Sequence, residues 1–363
     1  MKSYPLYDHP LLRASARIID DGRISVDARG LLKTMPGVKD SLEMIDGRYP
    51  ALAGEKLYIS TWIPPIPSIA FDRLVESRIK GVLGRRTPDQ VTISITEECP
   101  NRCIHCALPN SGNKLRLEPD VVKDVISQIL DMGTTLVIFD GGEPTTYREL
   151  PDIVASVDDR AISTMFTSGA GFTEPLAAKM KEAGLYAVNI SLDSARPEEH
   201  DAMRGRFGVF QDAMNAVKNA LFAGLMVDIY VVIRSGNFSQ INEFHDLARR
   251  CKAHELTFFE VVPVGRWSGK KDVILRPEDH AALHSFATGS LAPRIFSVPD
   301  ALHRFGCFAG RNWMHITPCG DVYPCACLPE VCGNIFNEPL AVIWRNMAHL
   351  PYKGSKICPM RRD

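Results

Sequence analysis

Residues 91–106 read VTISITEECPNRCIHC, and this stretch decides how the rest of the chain is interpreted. Its first part, 91–96, is a short run rich in β-branched residues, of the kind that forms a buried strand. Directly after it, Cys99, Cys103 and Cys106 follow one another with Cys-x3-Cys-x2-Cys spacing. Because thiolates this close in sequence can converge on one soft metal centre, the stretch predicts a metal-binding loop at a strand end.

From this stretch onward, strand patterns alternate with helix patterns. The alternation predicts an α/β fold with a parallel sheet, here a partial (β/α)6 TIM-like barrel. In such folds the chemistry lies at the carboxyl ends of the strands. The predicted strands are 91–96, 135–140, 162–167, 187–193, 226–233 and 256–262. The predicted helices are 119–132, 147–157, 174–184, 209–223 and 239–253.

The chain of 363 residues is predicted to have three parts. Residues 1–90 are expected to be an irregular extension of unknown role, apart from a short helix at 70–83. The Pro-rich run 62–67, which includes Trp62, must be extended and is a candidate for closing the open side of the barrel. The barrel core is expected at 91–270, and a small Cys-rich domain at 271–363.

Charge and cysteine content narrow the functional classes. Lys and Arg number 42 against 43 Asp and Glu, so nothing in the charge favours nucleic acid or an anionic membrane as partner. We expect no secretory signal, no transmembrane segment and a cytoplasmic location. Ten cysteines in such a chain indicate metal binding or redox chemistry rather than disulfides. Cys251, alone in a helical pattern, is interpreted as an apolar filler.

Three interpretations of the first cysteine group are open on spacing alone. Cys103 and Cys106 could form a thioredoxin-like redox pair. They could also be half of a zinc site, with Cys99 or His105 as a further ligand. The third interpretation is an iron–sulfur cubane, which four cysteines usually hold. Three cysteines would leave one iron open to a substrate, as in a catalytic zinc site.

On these residues the chain resembles the radical S-adenosylmethionine (SAM) superfamily. The resemblance covers roughly 91–363 and implies that Cys99, Cys103 and Cys106 hold a [4Fe-4S] cluster whose unique iron chelates SAM. Reductive cleavage of SAM then gives a 5′-deoxyadenosyl radical that abstracts hydrogen from a substrate. A one-electron reductant such as ferredoxin or flavodoxin is implied as a partner. His105 occupies a position where the family often has an aromatic residue.

Two further strand ends carry segments similar to SAM-binding motifs of this family. After the second strand, Gly141, Gly142 and Glu143 match the Gly-Gly-Glu-Pro motif that binds the methionyl amino group. Glycines also allow a close backbone approach. After the third strand, Ser168 stands where a hydroxyl could contact the SAM carboxylate or ribose, or simply cap a turn.

The fourth strand places Asn189, Ser191 and Asp193 on one face by alternation. Three polar side chains directed into a barrel interior are costly unless they bind something. The segment resembles the family's Ser-Leu-Asp motif, which contacts the ribose. Arg204 is expected to pair with a carboxylate of SAM or substrate, or with Glu199 or Asp201 at the surface.

The sixth strand ends in a segment similar to the one that lies against adenine in related enzymes. The resemblance implies that Val262 and Pro263 contact the adenine. Arg266, which follows them, is a candidate for facing the substrate.

A second cysteine group follows residue 300, and it resembles the SPASM or twitch auxiliary-cluster extension. The resemblance is carried by Cys307, a gap and then Gly320-x4-Cys325, with a hairpin turn at Cys319-Gly320 and a helix at 340–349. Since the usual Cys-x2-Cys is here Cys358-Pro-Met-Arg, we expect one auxiliary [4Fe-4S] cluster. Its expected ligands are Cys307, Cys325 and Cys358, with the fourth open among Cys332, Cys327, Cys319, substrate and solvent. A zinc-stabilised hairpin is the alternative.

The sequence does not fix the substrate, because fold and cofactor do not fix function. Residues 1–90 show no clear leader-binding domain of strands and three helices, so a small molecule, lipid or cofactor precursor is favoured. A peptide or protein maturase is the first alternative. A non-catalytic iron–sulfur or zinc protein and a thioredoxin-like oxidoreductase are the others.

Overall fold

The computed structural model describes residues 3–53, 55–108, 114–289, 292–352 and 354–361. The chain begins with three strands, β1 (Ser3–His9), β2 (Leu12–Ile18) and β3 (Ile24–Arg29), which form an antiparallel sheet in that order. They are followed by α1 (Pro36–Ile45), β4 (Ala51–Ala53), β5 (Lys56–Tyr58) and α2 (Ile69–Val82). The predicted helix at 70–83 is therefore confirmed, and Ser68 caps it.

The expected irregularity of residues 1–90 is wrong for this sheet. Leu6, Ala16 and Ile24 of the three strands pack with Ile45 of α1 and Phe71 of α2 in a core of their own. The strands are only six or seven residues long and bury alternate side chains, with charged residues on the other face. That short alternation is the ordinary pattern of a half-buried antiparallel strand, and it is easily hidden by the charges.

The Pro-rich run does not wrap the outside of the barrel but enters it near the amino ends of the strands. Ser60 Oγ and Thr61 N donate to the buried Glu255 carboxylate at 2.9 and 2.7 Å. Arg294 Nη1 donates to the Ile59 carbonyl at 2.6 Å. The Trp62 ring lies about 6 Å from three aromatic rings of the barrel, those of Phe166, Tyr230 and Phe296. The segment therefore plugs one end of the barrel.

All six predicted barrel strands are confirmed, and helices alternate with them. The order along the chain is β6 (Gln90–Thr96), α3 (Pro119–Asp131), β7 (Leu136–Gly141), α4 (Leu150–Val154), β8 (Ile162–Thr167) and α5 (Glu174–Glu182). It continues with β9 (Ala187–Leu192), α6 (Pro197–Arg204), α7 (Val209–Phe222), β10 (Met226–Ile233), α8 (Ile241–Arg250) and β11 (Glu255–Glu260). Their buried faces form the main core.

Two further strands extend the parallel series. After α9 (Pro277–Gly289), β12 (Arg294–Ser297) pairs with β11, and after α10 (Val298–Phe305), β13 (Trp313–Ile316) pairs with β6. The order is β12-β11-β10-β9-β8-β7-β6-β13, all parallel. Within the described residues β12 and β13 do not pair with each other, so the barrel has an open side between them.

The C-terminal part continues the same sheet. The predicted hairpin is confirmed, because β13 pairs antiparallel with β14 (Asp321–Tyr323), which pairs with β15 (Gly333–Asn334). The predicted helix is α11 (Leu340–Asn346), followed by a 3-10 turn to His349. The domain boundary at residue 270 stays a prediction. No helix among the described residues is long and apolar enough to cross a membrane.

Candidate active site

The loop that carries the first three cysteines is fixed by backbone hydrogen bonds to the segment after β7 and to the C-terminal end of α6. Arg102 N and Ile104 N donate to the carbonyls of Arg204 and Met203, both at 2.9 Å. From the other side, Glu143 N donates to the Glu98 carbonyl at 2.7 Å. Because these bonds involve the main chain, they set the path of the loop whatever its side chains bind.

Three glycines lie where neighbouring segments touch this loop. A Cβ on Gly142 would lie 2.2 Å from the Glu98 carbonyl oxygen, and one on Gly265 would lie 2.2 Å from that of Cys106. Gly205, whose φ is +66°, would place a Cβ 2.6 Å from the Arg102 carbonyl oxygen. These contacts explain why residue 142 is a glycine: its backbone lies so close to the cysteine loop that a Cβ would not fit. Gly205 and Gly265 were not singled out from the sequence as loop contacts, since contact across strand ends leaves no local pattern.

The three thiols share a common electrostatic environment. Cys99 is exposed and Cys103 and Cys106 are half-buried, and none is in a disulfide. Desolvation raises the pKa of Cys99 to about 11, and the neighbouring Cys103 and Cys106 add to the rise. Desolvation also raises the pKa of Cys103, and the Arg204 guanidinium opposes this rise. Thiols that disfavour each other's ionisation fit a site where cationic metal supplies the missing charge.

Glu143 and Ser168, both predicted to contact SAM, are brought together. The buried Glu143 carboxylate accepts hydrogen bonds from Thr167 Oγ1 at 2.6 Å, Ser168 N at 2.8 Å and Ser168 Oγ at 2.6 Å. Asn101 Nδ2 of the cysteine loop donates to Ser168 Oγ at 2.8 Å. The strand ends of β7 and β8 and the cysteine loop are thus joined by one polar network.

Asn189 shows the clearest signature of a missing ligand. Its side chain is 1% exposed, and neither Oδ1 nor Nδ2 has a hydrogen-bond partner. An unsatisfied buried amide is costly unless a bound molecule completes its hydrogen bonds. Ser191, two residues along the same strand face, lines the central cavity. Ser191 therefore offers a hydroxyl to a ligand in the cavity, such as the ribose of SAM, whereas Asn189 is buried and is not among the residues that line the cavity.

Asp193 and Arg204 form a buried ion pair. Arg204 Nε lies 2.6 Å from Asp193 Oδ2, and His105 Nε2 lies 3.3 Å from Asp193 Oδ1. Burial raises the pKa of Asp193, but Arg204 and the histidines outweigh it and hold that pKa below its usual value. The surface pairing of Arg204 with Glu199 or Asp201 is therefore wrong. Arg204 Nη1 also lies 4.0 Å from Cys103 Sγ, which places its charge beside the cysteine loop.

The segment after β11 lies against the same loop. Val262 is buried and lines the cavity, and Pro263 is buried beside it. Arg266 contacts the cysteine loop, because its Nη1 donates to the Cys103 carbonyl and its backbone N to that of Cys106, both at 3.0 Å. His105 packs on Trp267 with ring centroids 5.5 Å apart.

The second cysteine group is gathered less tightly. Cys307 and Cys325 share a small hydrophobic cluster, and both raise the pKa of Cys358, on which burial has the largest effect. The backbone N of Cys327 donates to Cys325 Sγ at 3.4 Å. Cys332 Sγ instead donates to the Glu330 carbonyl at 3.6 Å. The structure thus places Cys307 and Cys325 in one cluster with Cys358 near them, and it sets Cys327 beside Cys325 as a candidate for the fourth ligand.

A buried ion pair that sequence reasoning missed fixes the C-terminal tail. Arg361 Nη1 lies 2.6 Å from Glu260 Oε2, and Arg361 Nε donates to the Val261 carbonyl at 3.0 Å. His280 Nε2 lies 3.0 Å from the same carboxylate. The contacts hold the tail segment that carries Cys358 against the end of β11.

Both cysteine groups open onto one cavity of about 1840 Å³. Its wall includes six cysteines, namely Cys99, Cys103, Cys106, Cys319, Cys325 and Cys327. Among the described residues, no three His, Cys, Asp or Glu side chains are arranged to hold a single metal ion.

Comparison with known families agrees with this architecture. Residues 93–248 match the radical SAM superfamily, and residues 307–357 match the SPASM iron–sulfur cluster-binding domain. The mycofactocin maturase MftC of Mycolicibacterium smegmatis is 31% identical over 299 residues, which cover 77% of this chain and 73% of that protein. The AdoMet-dependent heme synthase of Nitratidesulfovibrio vulgaris is 26% identical over 304 residues, covering 73% of this chain and 81% of that protein. The PqqA peptide cyclase of Xanthomonas axonopodis pv. citri is 27% identical over 292 residues, 75% of this chain and 78% of that protein.

Solved structures share the fold. Streptococcus suis SuiB bound to precursor peptide SuiA has a TM-score of 0.59 at 17% identity, covering 80% of this chain and 71% of that one. The anSMEcpe protein with bound AdoMet has a TM-score of 0.56 at 18% identity, covering 70% of this chain and 80% of that one.

The fold and the matches define an iron–sulfur enzyme that uses SAM. The chain belongs to the radical SAM superfamily and carries a SPASM domain at its C-terminus. Its cofactors are a [4Fe-4S] cluster with SAM, and the SPASM domain implies auxiliary iron–sulfur binding in addition.

Proposed function

We propose that this enzyme modifies a peptide. The observation that carries the proposal is that relatives aligning with about three quarters of the chain include a mycofactocin maturase and a PqqA peptide cyclase. The fold is also that of SuiB, whose structure holds its precursor peptide. A peptide substrate therefore replaces the small molecule, lipid or cofactor precursor favoured by the sequence alone.

The size and openness of the cavity support a peptide. Pockets for small ligands usually measure about 300 to 1,000 Å³, and this cavity, at about 1840 Å³, is larger. Within the described residues the sheet ends at β12 on one side and at the β13–β15 extension on the other, so strand pairing does not close the barrel. An extended chain can enter a site of this shape from the side.

The N-terminal sheet supports the same substrate class. Leu6 and Tyr7 of β1 and Leu12 of β2 line the cavity that also contains the first cysteine loop. Within the described residues β1 and β3 are the edge strands of their sheet, and an edge strand can bind an extended peptide through main-chain hydrogen bonds. The sheet offers a place for a part of the peptide remote from the reaction.

We assign the cofactor contacts as follows. Cys99, Cys103 and Cys106 would hold the cluster that cleaves SAM to the adenosyl radical when an electron is supplied. Asn189 and Ser191 would bind the ribose, with the other SAM contacts at Gly141, Gly142, Glu143, Ser168, Asp193, Arg204, Val262 and Pro263. Cys307, Cys325 and Cys358 would hold the auxiliary cluster, with Cys332 or Cys327 as fourth ligand. Ferredoxin or flavodoxin would be the reductant, and the location would be cytoplasmic.

The proposal is tested by isotope transfer from a peptide. The anaerobically reconstituted enzyme is incubated with SAM, dithionite and synthetic perdeuterated peptides encoded by short reading frames next to its gene. We expect one peptide to change in mass and to deliver deuterium to 5′-deoxyadenosine, and Cys99→Ala to abolish both. Deuterium transfer from a heme-type tetrapyrrole, with none from any peptide, would contradict the proposal and favour the activity of the heme synthase relatives.

A further inference from the structure

A polar cluster inside the barrel lies apart from the assigned cofactor contacts. It consists of Ser94 on β6, Asp140 on β7 and His315 on β13, three neighbouring strands. Ser94 pairs in register with Asp140, and His315 with Thr92, two residues before Ser94. All three cluster residues line the large cavity. They therefore face the space where a substrate would lie, between the two cysteine groups.

The hydrogen bonds within the cluster fix the tautomer of His315. Ser94 Oγ lies 2.5 Å from Asp140 Oδ1 and 3.3 Å from His315 Nε2. When the Asp140 carboxylate is ionised it can only accept, and the single hydroxyl proton of Ser94 then goes to Asp140. The Ser94 oxygen then accepts from His315, which must carry its proton on Nε2. His315 Nδ1 is left with a free lone pair.

The surroundings bury that lone pair and leave it without a protein partner among the described residues. His315 is 4% exposed, and its Nδ1 has no hydrogen-bond partner. The titratable groups that face the ring are Asp140 from β7 and Tyr323 from β14, whose ring stacks on it at 6.1 Å with a 20° tilt. Burial lowers the pKa of His315, whereas Asp140 raises it. Burial also raises the pKa of Asp140, against the effects of His315 and Ser94.

We propose that His315 Nδ1 is the base that accepts a proton from the substrate, with Ser94 and Asp140 as positioning residues. In this step an N–H or C–H bond of the peptide beside the radical carbon breaks. The proton goes to Nδ1, and the electron pair of the bond stays on the peptide. The imidazolium formed is balanced by the Asp140 carboxylate through the Ser94 hydroxyl. The assignment rests on the proposed function, since it takes a peptide as the proton donor.

The first test needs no peptide. In enzyme labelled with ¹⁵N histidine, the His315 ring nitrogens are identified by the signals that His315→Gln removes. At about pH 7.5, above the usual histidine range, we expect a neutral ring with its proton on Nε2. A ring protonated on Nδ1, or a charged ring at that pH, would overturn the proposal, because Nδ1 could then accept nothing.

The second test separates a base from a structural residue. With a peptide that the wild-type enzyme modifies, His315→Gln should lower modified peptide per 5′-deoxyadenosine about a hundredfold. SAM cleavage without peptide is measured in the same variants, and His349→Gln, an exposed matched control, should change neither quantity. Asp140→Asn should give a smaller loss than His315→Gln, with the His315 proton moved or its ring signals shifted.

The two tests distinguish failure of this proposal from failure of the proposed function. An unchanged ratio in His315→Gln would overturn the proposal, as would equal losses of SAM cleavage and peptide modification in a folded variant. If no peptide is modified by the wild type, the proposed function has failed, and the tautomer measurement then decides whether Nδ1 is a free base.

Discussion

The two cysteine groups of this enzyme are held in different ways. The first, Cys99 to Cys106, lies on a loop whose main chain is hydrogen-bonded to the Gly142–Glu143 and Met203–Arg204 segments. The second, Cys307 to Cys358, is held by a small hydrophobic cluster and by the Arg361–Glu260 ion pair at its end. The main-chain hydrogen bonds around the first loop form a backbone cradle, and the sequence offers a single set of candidate ligands there. The second group leaves Cys327 and Cys332 as alternatives for the fourth ligand.

The largest effect is expected from removing a thiol of the first group. Cys103→Ser should lower 5′-deoxyadenosine formation on the order of a thousandfold, because the cluster loses a ligand. Cys251→Ala is the matched control, since that thiol is half-buried at the end of α8 and packs near Met214. Product is measured by chromatography after anaerobic reconstitution. Equal activity in Cys103→Ser and in the wild type would show that SAM cleavage does not depend on this thiol of the first group.

The backbone cradle itself is tested by Gly142→Ala. The added Cβ would meet the Glu98 carbonyl oxygen at 2.2 Å, so the cysteine loop must move. A displacement of about 1 Å can lower turnover about a hundredfold, and we expect a loss of that size in SAM cleavage. Gly289→Ala, where nothing lies within 4 Å of the new Cβ, serves as control. Full activity in Gly142→Ala would show that the cradle does not position the loop.

The second group should respond to loss of its tail contact. Arg361→Ala leaves the buried Glu260 without its cation, a change that typically costs about 3 to 5 kcal/mol. We expect bound iron to fall by about half while SAM cleavage without peptide persists, since the [4Fe-4S] cluster of the first group is untouched. The exposed Arg345→Ala is the control. Iron per chain is measured after desalting, and loss of both clusters together would contradict independent sites.

A smaller, pH-dependent effect is expected from the His280–Glu260 contact beside the same tail segment. The hydrogen bond to Glu260 raises the pKa of His280, although burial opposes this. A raised pKa means that the contact adds stability at low pH, and that this stability is lost as the pH rises through the folded-state pKa. Auxiliary iron should therefore be retained better near pH 6 than near pH 8.5, values on either side of the usual histidine pKa of about 6.5. His280→Gln should flatten the difference, and an unchanged profile would show that the pair does not support the tail.

The barrel could be predicted from sequence because each of its strands is a local apolar run followed by a helix. The strands β12 and β13 were not predicted as barrel strands, since each is only four residues long and β13 pairs with β6, which is distant in sequence. Short segments that gain stability only from such pairing carry little local signal. The N-terminal sheet was missed for a similar reason.

Site residues that belong to a local sequence motif could be predicted. Contacts between residues that are far apart in sequence could not. Cys99, Glu143 and Asn189 were predicted as site residues from spacing, motif resemblance and alternation. The Asp193–Arg204 pair was not expected, because Asp193 and Arg204 were each singled out separately and only the alternative surface pairing of Arg204 is wrong. His315 was not singled out from the sequence, because its contact with Ser94 spans 221 residues of chain.

The most direct test of the account is whether the three thiolates of the first loop support reductive cleavage of SAM. Fully reconstituted wild-type enzyme, with dithionite or reduced flavodoxin as electron donor, should convert SAM to equal amounts of methionine and 5′-deoxyadenosine. An iron-loaded enzyme that binds SAM but forms no 5′-deoxyadenosine with either reductant would contradict it.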